Sequence, residues 1–95
     1  MNLDITGKQL ELTDALKDFI TDRFENVRKH SSKITHAHVT CETVKDEQIA
    51  EARLHIPGSE IFAKASSDNM YKSIDLLIDK ITKQIDKYRE KHEGK

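Results

Sequence analysis

Three times between Ile34 and Ser66 the apolar residues recur at every second position, whereas on both sides of that stretch they recur every third or fourth. A period of two belongs to a strand with one face buried, and a period near 3.6 to a helix lying on a core. The chain is therefore constrained to a three-stranded antiparallel meander flanked by helices. In the first of these strands Ala37, Val39 and Cys41 point one way, and His36, His38, Thr40 and Glu42 the other. Lys45-Asp46-Glu47-Gln48 makes a polar turn, after which Ala50, Ala52, Leu54 and Ile56 alternate with Glu51, Arg53 and His55. Pro57-Gly58 presets a tight turn, and Ile61, Ala63 and Ala65 then alternate with Phe62, Lys64 and Ser66.

Ahead of the meander, Leu3-Asp4-Ile5-Thr6 reads as a short strand ending in a turn at Gly7. A helix follows, with Thr13 as its cap, Asp14 at its positive N-terminal end, and Leu16, Phe19, Ile20 and Val27 on one face up to about His30-Ser31-Ser32. The closing helix starts after Asp68 or Asn69 and runs to about Lys91 without Gly or Pro, with Met70, Tyr71, Ile74, Leu77, Ile78, Ile81, Ile85 and Tyr88 as its apolar stripe. The order is β-α-β-β-β-α: an α+β fold with two helices packed on one face of a four-stranded mixed sheet. Although 35% of the residues are charged, this periodicity argues against disorder. Ninety-five residues allow one domain, 1–95, expected to be about 25–30 Å across.

The formal charge of -1 excludes a uniformly basic nucleic-acid sponge, so any affinity for RNA has to come from segregated charge. Residues 1–30 carry five basic and six acidic side chains, 31–68 four and six, and 69–95 seven and five. On the last helix Lys80, Lys83, Lys87 and Lys91 project as a ridge opposite the Ile78-Ile81-Ile85 stripe, while Asp75, Asp79 and Asp86 gather on one flank. Cations at this interval can follow a phosphate backbone. The same pattern by itself fits a solvated helix face equally well. The first helix turns Asp14, Asp18, Asp22 and Glu25 outward, with Lys17 and Arg28 on one flank and Lys29 on the other. Arg23 projects almost onto the centre of its apolar face, a placement that implies an extended stem and a guanidinium at the groove between the helices.

No pattern in the chain supports catalysis: there is no GxSxG, no HExxH, no phosphate-cradling loop, and only three glycines. His36 and His38 share a strand face where two imidazoles could chelate a transition metal, but no third ligand stands near them in the sequence, and Cys41 points the other way. The reading is therefore of a protein with neither metal nor cofactor. The single cysteine excludes an internal disulfide. Met1-Asn2-Leu3-Asp4 lacks the basic start and apolar run of a signal peptide, and a cytoplasmic protein with no membrane or small-molecule partner is expected.

Asp68-Asn69-Met70-Tyr71-Lys72-Ser73-Ile74-Asp75 followed by Leu77-Ile78-Asp79-Lys80 resembles the signature of the ribosome hibernation promoting factor and ribosome-associated inhibitor family. Ile5-Thr6-Gly7-Lys8 to Leu12-Thr13 and Asp22-Arg23-Phe24 are similar to the same family, so the resemblance spans nearly the whole chain. It implies the same β-α-β-β-β-α order, related to double-stranded RNA-binding domains in its last five elements, and binding in the decoding channel of the small ribosomal subunit. There it would block messenger and transfer RNA sites. It also implies rRNA contacts from Arg23, Lys29, Lys80, Lys83, Lys87 and Lys91, with Lys8, Arg28 and Arg89 as secondary candidates. A chain ending at Lys95 resembles the short form, which by resemblance acts with a separate ribosome modulation factor to pair idle ribosomes. A general double-stranded RNA-binding module is the alternative. Leu76, apolar on the basic side of the last helix, does not fit a purely electrostatic surface.

Overall fold

The computed structural model describes residues 1–31 and 33–92, the last three of them by backbone alone. The elements follow in the expected order: β1 (Asn2–Lys8), α1 (Asp14–His30), β2 (His36–Val44), β3 (Glu47–Ile56), β4 (Ser59–Ser67) and α2 (Met70–His92). Spatial strand order equals chain order, β1-β2-β3-β4. The β1–β2 pair is parallel and the other two pairs are antiparallel. This mixed sheet follows from the connections, since two-residue turns join the antiparallel strands whereas α1 provides the crossover that parallel pairing needs.

Local expectations shift by a residue or two. β1 continues through Gly7 to Lys8, and the chain turns at Gln9, whose φ is 55°. Gly7 serves a close approach instead: a Cβ there would lie 2.4 Å from the Leu10 carbonyl and 3.0 Å from Leu12 Cγ, where the outgoing loop folds back. Glu47 and Gln48 belong to β3, opposite Val44 and Thr43, so only Lys45 and Asp46 form that turn. Gly58 adopts φ 74°, the left-handed conformation that a tight hairpin turn asks of glycine.

The core lies between the helices and the inward face of the sheet. Cross-strand pairs Ala50–Ala65 and Ala52–Ala63 make a low floor, bounded by Leu54 opposite Ile61. Small side chains there let α2 seat Ile74, Leu77, Ile81 and Ile85 deep in the core, each 1% exposed or less. From α1 come Leu16, Ile20, Phe24 and Val27. Phe24, absent from the apolar face expected for this helix, is fully buried on it. Arg23 is accordingly not central but on the margin toward α2, about one third exposed, with its guanidinium at the groove between the helices as expected.

α2 is also stitched along the outer edge of β4. Lys80 Nζ donates to the Lys64 carbonyl at 2.7 Å, Gln84 Nε2 to the Phe62 carbonyl at 2.8 Å, and the Tyr88 hydroxyl to the Pro57 carbonyl at 3.1 Å. The first two bonds occupy carbonyls on an edge strand, which would otherwise be open to another strand, and the third holds the turn that leads into it. The 23-residue α2 is about 35 Å long. The molecule therefore measures 44 × 21 × 19 Å, longer and narrower than the 25–30 Å body expected from residue count.

Candidate nucleic-acid interface

α1 and α2 lie side by side and run in the same direction, because contacts between them advance together along both chains. Phe19 meets Tyr71 edge to face at 4.8 Å, Arg23 Nε donates to Asp75 at 2.8 Å, and His30 Nε2 lies 2.7 Å from Asp86. The acidic flank of α2 thus faces α1. Arg23 is also 3.2 Å from Asp22, and its guanidinium carbon sits 4.1 Å from the centre of the Phe19 ring. The hydrogen bond that Arg23 donates to Asp75 is the largest influence on this group, and with the charges of Asp75 and Asp22 it raises the guanidinium pKa above its ordinary value despite opposing desolvation.

Much of the signature segment is a structural joint. Asn69, not Asp68, caps α2, its Oδ1 accepting the Lys72 N–H at 3.2 Å. Met70 and Ile74 enter the core. Ser73 is fully buried and donates to the Gln48 carbonyl at 2.6 Å, while its hydroxyl lies 2.7 Å from that of Ser67. Tyr71 and Asp75 engage α1 as described. Lys72 is left exposed on the outer surface.

Of the cations expected to touch rRNA, Lys83 and Lys87 are exposed on the outward face of α2 and hold no ion pair among the described residues. Lys80 lies on the flank over β4 with one ammonium N–H on the Lys64 carbonyl, so it meets a phosphate there with its remaining donors or by leaving that acceptor. The backbone of Lys91 continues α2, and its side chain lies outside the described residues. Lys29 is exposed in the last turn of α1. Arg28 is bound to Glu25 at 2.8 Å, and Arg89 donates to the His30 carbonyl at 3.3 Å, tying α2 to the end of α1. Lys8 stands at the far end, where β1 leads through a short loop into the start of α1. Lys72 was not singled out in the sequence, yet it is eleven residues, about three turns, from Lys83 and so extends the same face. Helical projection alone carries that signal.

Because the helices run the same way, their basic last turns come together. Arg28, Lys29 and His30 end α1 beside the stretch of α2 bearing Lys83, Lys87 and Arg89. Cations there also offset the negative ends of two helix dipoles. Away from this end α1 shows its acidic stripe, and the opposite sheet face mixes both signs. Among the described residues this end of the helical layer gathers positive charge, with Leu76 exposed on the same outward side of α2. Such a surface can bind phosphates through ammonium and guanidinium donors without any chemical step.

Residues 3–93 match the family described as Sigma 54 modulation protein / S30EA ribosomal protein. Ribosome hibernation promoting factors of Azotobacter vinelandii and Escherichia coli (strain K12) are 40% and 37% identical to this chain over 91 residues, covering 96% of it and 85% and 96% of their own lengths. A ribosomal subunit interface protein from Coxiella burnetii has the same structure at TM-score 0.90 and 31% identity, over 94% of this chain and 98% of that one. The N-terminal domain of Thermus thermophilus Protein Y shares the fold at TM-score 0.85 and 23% identity, over 94% of this chain and all of that domain. On a match that runs almost from end to end, this chain belongs to the Sigma 54 modulation protein / S30EA ribosomal protein family.

Proposed function

We propose that this protein is a cytoplasmic ribosome hibernation factor. It binds rRNA of the small subunit through the basic end of its helical layer, occupies the decoding channel, and holds the ribosome inactive by excluded volume. The observation that carries this reading is the outward pair Lys83 and Lys87, uncommitted to any acid among the described residues, beside the basic last turn of α1. Relatives bearing the name ribosome hibernation promoting factor support the choice of partner. Inhibition by occupancy needs affinity and shape but no turnover, so the reading assigns the chain no catalysis. With a ribosome modulation factor on the same particle, it would promote pairing of idle ribosomes. Eight of the nine candidate contacts divide by availability: Lys29, Lys83 and Lys87 are presented directly, Lys80, Arg23, Arg28 and Arg89 already hold an internal partner, and Lys8 stands at the other end of the fold; the side chain of the ninth, Lys91, lies outside the described residues.

The test is competition on purified small subunits. Messenger and initiator transfer RNA should displace the protein, binding and translation inhibition should show one salt dependence, and subunits stripped at high salt should regain full activity. Equal affinity for any long RNA duplex would instead make it a general double-stranded RNA-binding module. Lasting inactivity after complete removal would point to an enzyme.

A further inference from the structure

The sheet face turned away from the helices holds a cluster that the sequence separates widely. Parallel pairing of β1 with β2 sets Asn2 opposite His36 and Asp4 opposite His38. Side chains two residues apart on a strand share a face, so Asp4, His36 and His38 project together. Asp4 Oδ2 lies 3.2 Å from His36 Nε2, and one ligand atom from each of the three residues lies within 4.8 Å of the others. In the sequence only two imidazoles stand together; the third donor arrives through strand pairing.

We propose that Asp4, His36 and His38 form a site for a divalent transition metal of the zinc class, which clips β1 to β2. Two imidazole nitrogens and one carboxylate oxygen make a borderline donor set suited to Zn2+, whereas Mg2+ and Ca2+ require more oxygens. A tetrahedral zinc ion bound at 2.0–2.1 Å spaces its ligand atoms about 3.4 Å apart. The cluster reaches that geometry by closing little more than 1 Å, a small rotation for surface side chains, and water fills the fourth position. His55 stands opposite His36 in β3, with its ring 5.9 Å away and edge-on, and so limits the freedom of the His36 imidazole. Arg53, the cation opposite His38, is drawn toward β4 by the Phe62 ring at 5.0 Å and by Glu60 at 3.7 Å. Since β1 has only one neighbouring strand, an ion bridging it to β2 stabilises an edge of the fold.

The test titrates Zn2+ into the full chain, following heat of binding and the histidine ring resonances. One ion should bind per chain, moving the rings of His36 and His38 but not that of His30, which is engaged with Asp86, and the melting temperature should rise. Mg2+ and Ca2+ at the same concentration should do none of this. Asp4→Asn, His36→Ala and His38→Ala should each weaken Zn2+ binding at least tenfold, and His55→Ala less than threefold. Resonance shifts confined to other histidines, or affinity unchanged in the His36 and His38 variants, would overturn the assignment. The ring resonances are read on the unaltered chain, so the result stands even where a variant folds poorly.

Discussion

Reversing the charge of Lys83 and Lys87 together probes the interface while leaving the core alone, because both side chains are exposed opposite the buried Ile81 and Ile85. The folding cost can be worked from their neighbours on α2. Asp79 lies one turn before Lys83 and Asp86 three residues after it, so the introduced carboxylates add like-charge pairs costing a few tenths of a kcal/mol each. Positions 83 and 87 both lie before the last turn of α2, so the helix dipole adds only a minor cost. The total, about 1 kcal/mol, is small beside the 5–15 kcal/mol typical of a domain, so the variant should fold. Binding should suffer far more. Losing two phosphate partners and gaining two repulsions should reduce affinity for small subunits about 100-fold, or roughly 2.7 kcal/mol. The slope of log affinity against log salt should become shallower by about two. Far-UV circular dichroism establishes folding, and co-sedimentation with small subunits over a salt series measures the rest. A folded double variant that co-sediments with wild-type affinity and slope refutes the placement of the interface.

Asp75→Ala should remove the 2.8 Å partner of Arg23 and leave it only Asp22 at 3.2 Å, with little loss of stability, because both members of the pair are substantially exposed. With that guanidinium held only by Asp22, subunit affinity should rise by about threefold; an unchanged or reduced value removes Arg23 from the contact. Phe24→Ala should cost about 3–5 kcal/mol in urea unfolding, since the ring is fully buried on α1's inward face. A loss under 1 kcal/mol would contradict that position. Burial pushes the Cys41 thiol from 9.0 up to about 11. The unfolded chain then loses this proton near pH 9 while the folded chain keeps it, so the unfolded state binds fewer protons and stability falls between about pH 9 and 11. The urea midpoint of the wild type should drop faster over that range than that of Cys41→Ala, and parallel curves would contradict the assignment.

The element order, the buried faces of β2, β3 and β4, the inner residues of the α2 stripe and the outward placement of Lys83 and Lys87 were legible in the sequence, whereas Tyr71, read onto that stripe, is 40% exposed. Each legible feature depends on residues two to four positions apart, and backbone geometry alone sets where those point. The apolar face that the pattern predicts for α1 omits Phe24, which is fully buried, and so centres near Arg23, which lies at its margin; a 100° step separates these neighbours, and the helical pattern tolerates an amphipathic side chain there. What joins separate elements was decided only by the tertiary structure. Parallel alignment of α1 and α2 gathers their basic last turns and hands Arg23 to Asp75, and the edge position of β4 turns Lys80 to the Lys64 carbonyl. Register between β1 and β2 brings Asp4 to His36 and His38. These partners lie tens of residues apart, and their meeting depends on strand register and helix packing, which the core sets as a whole and no local period encodes.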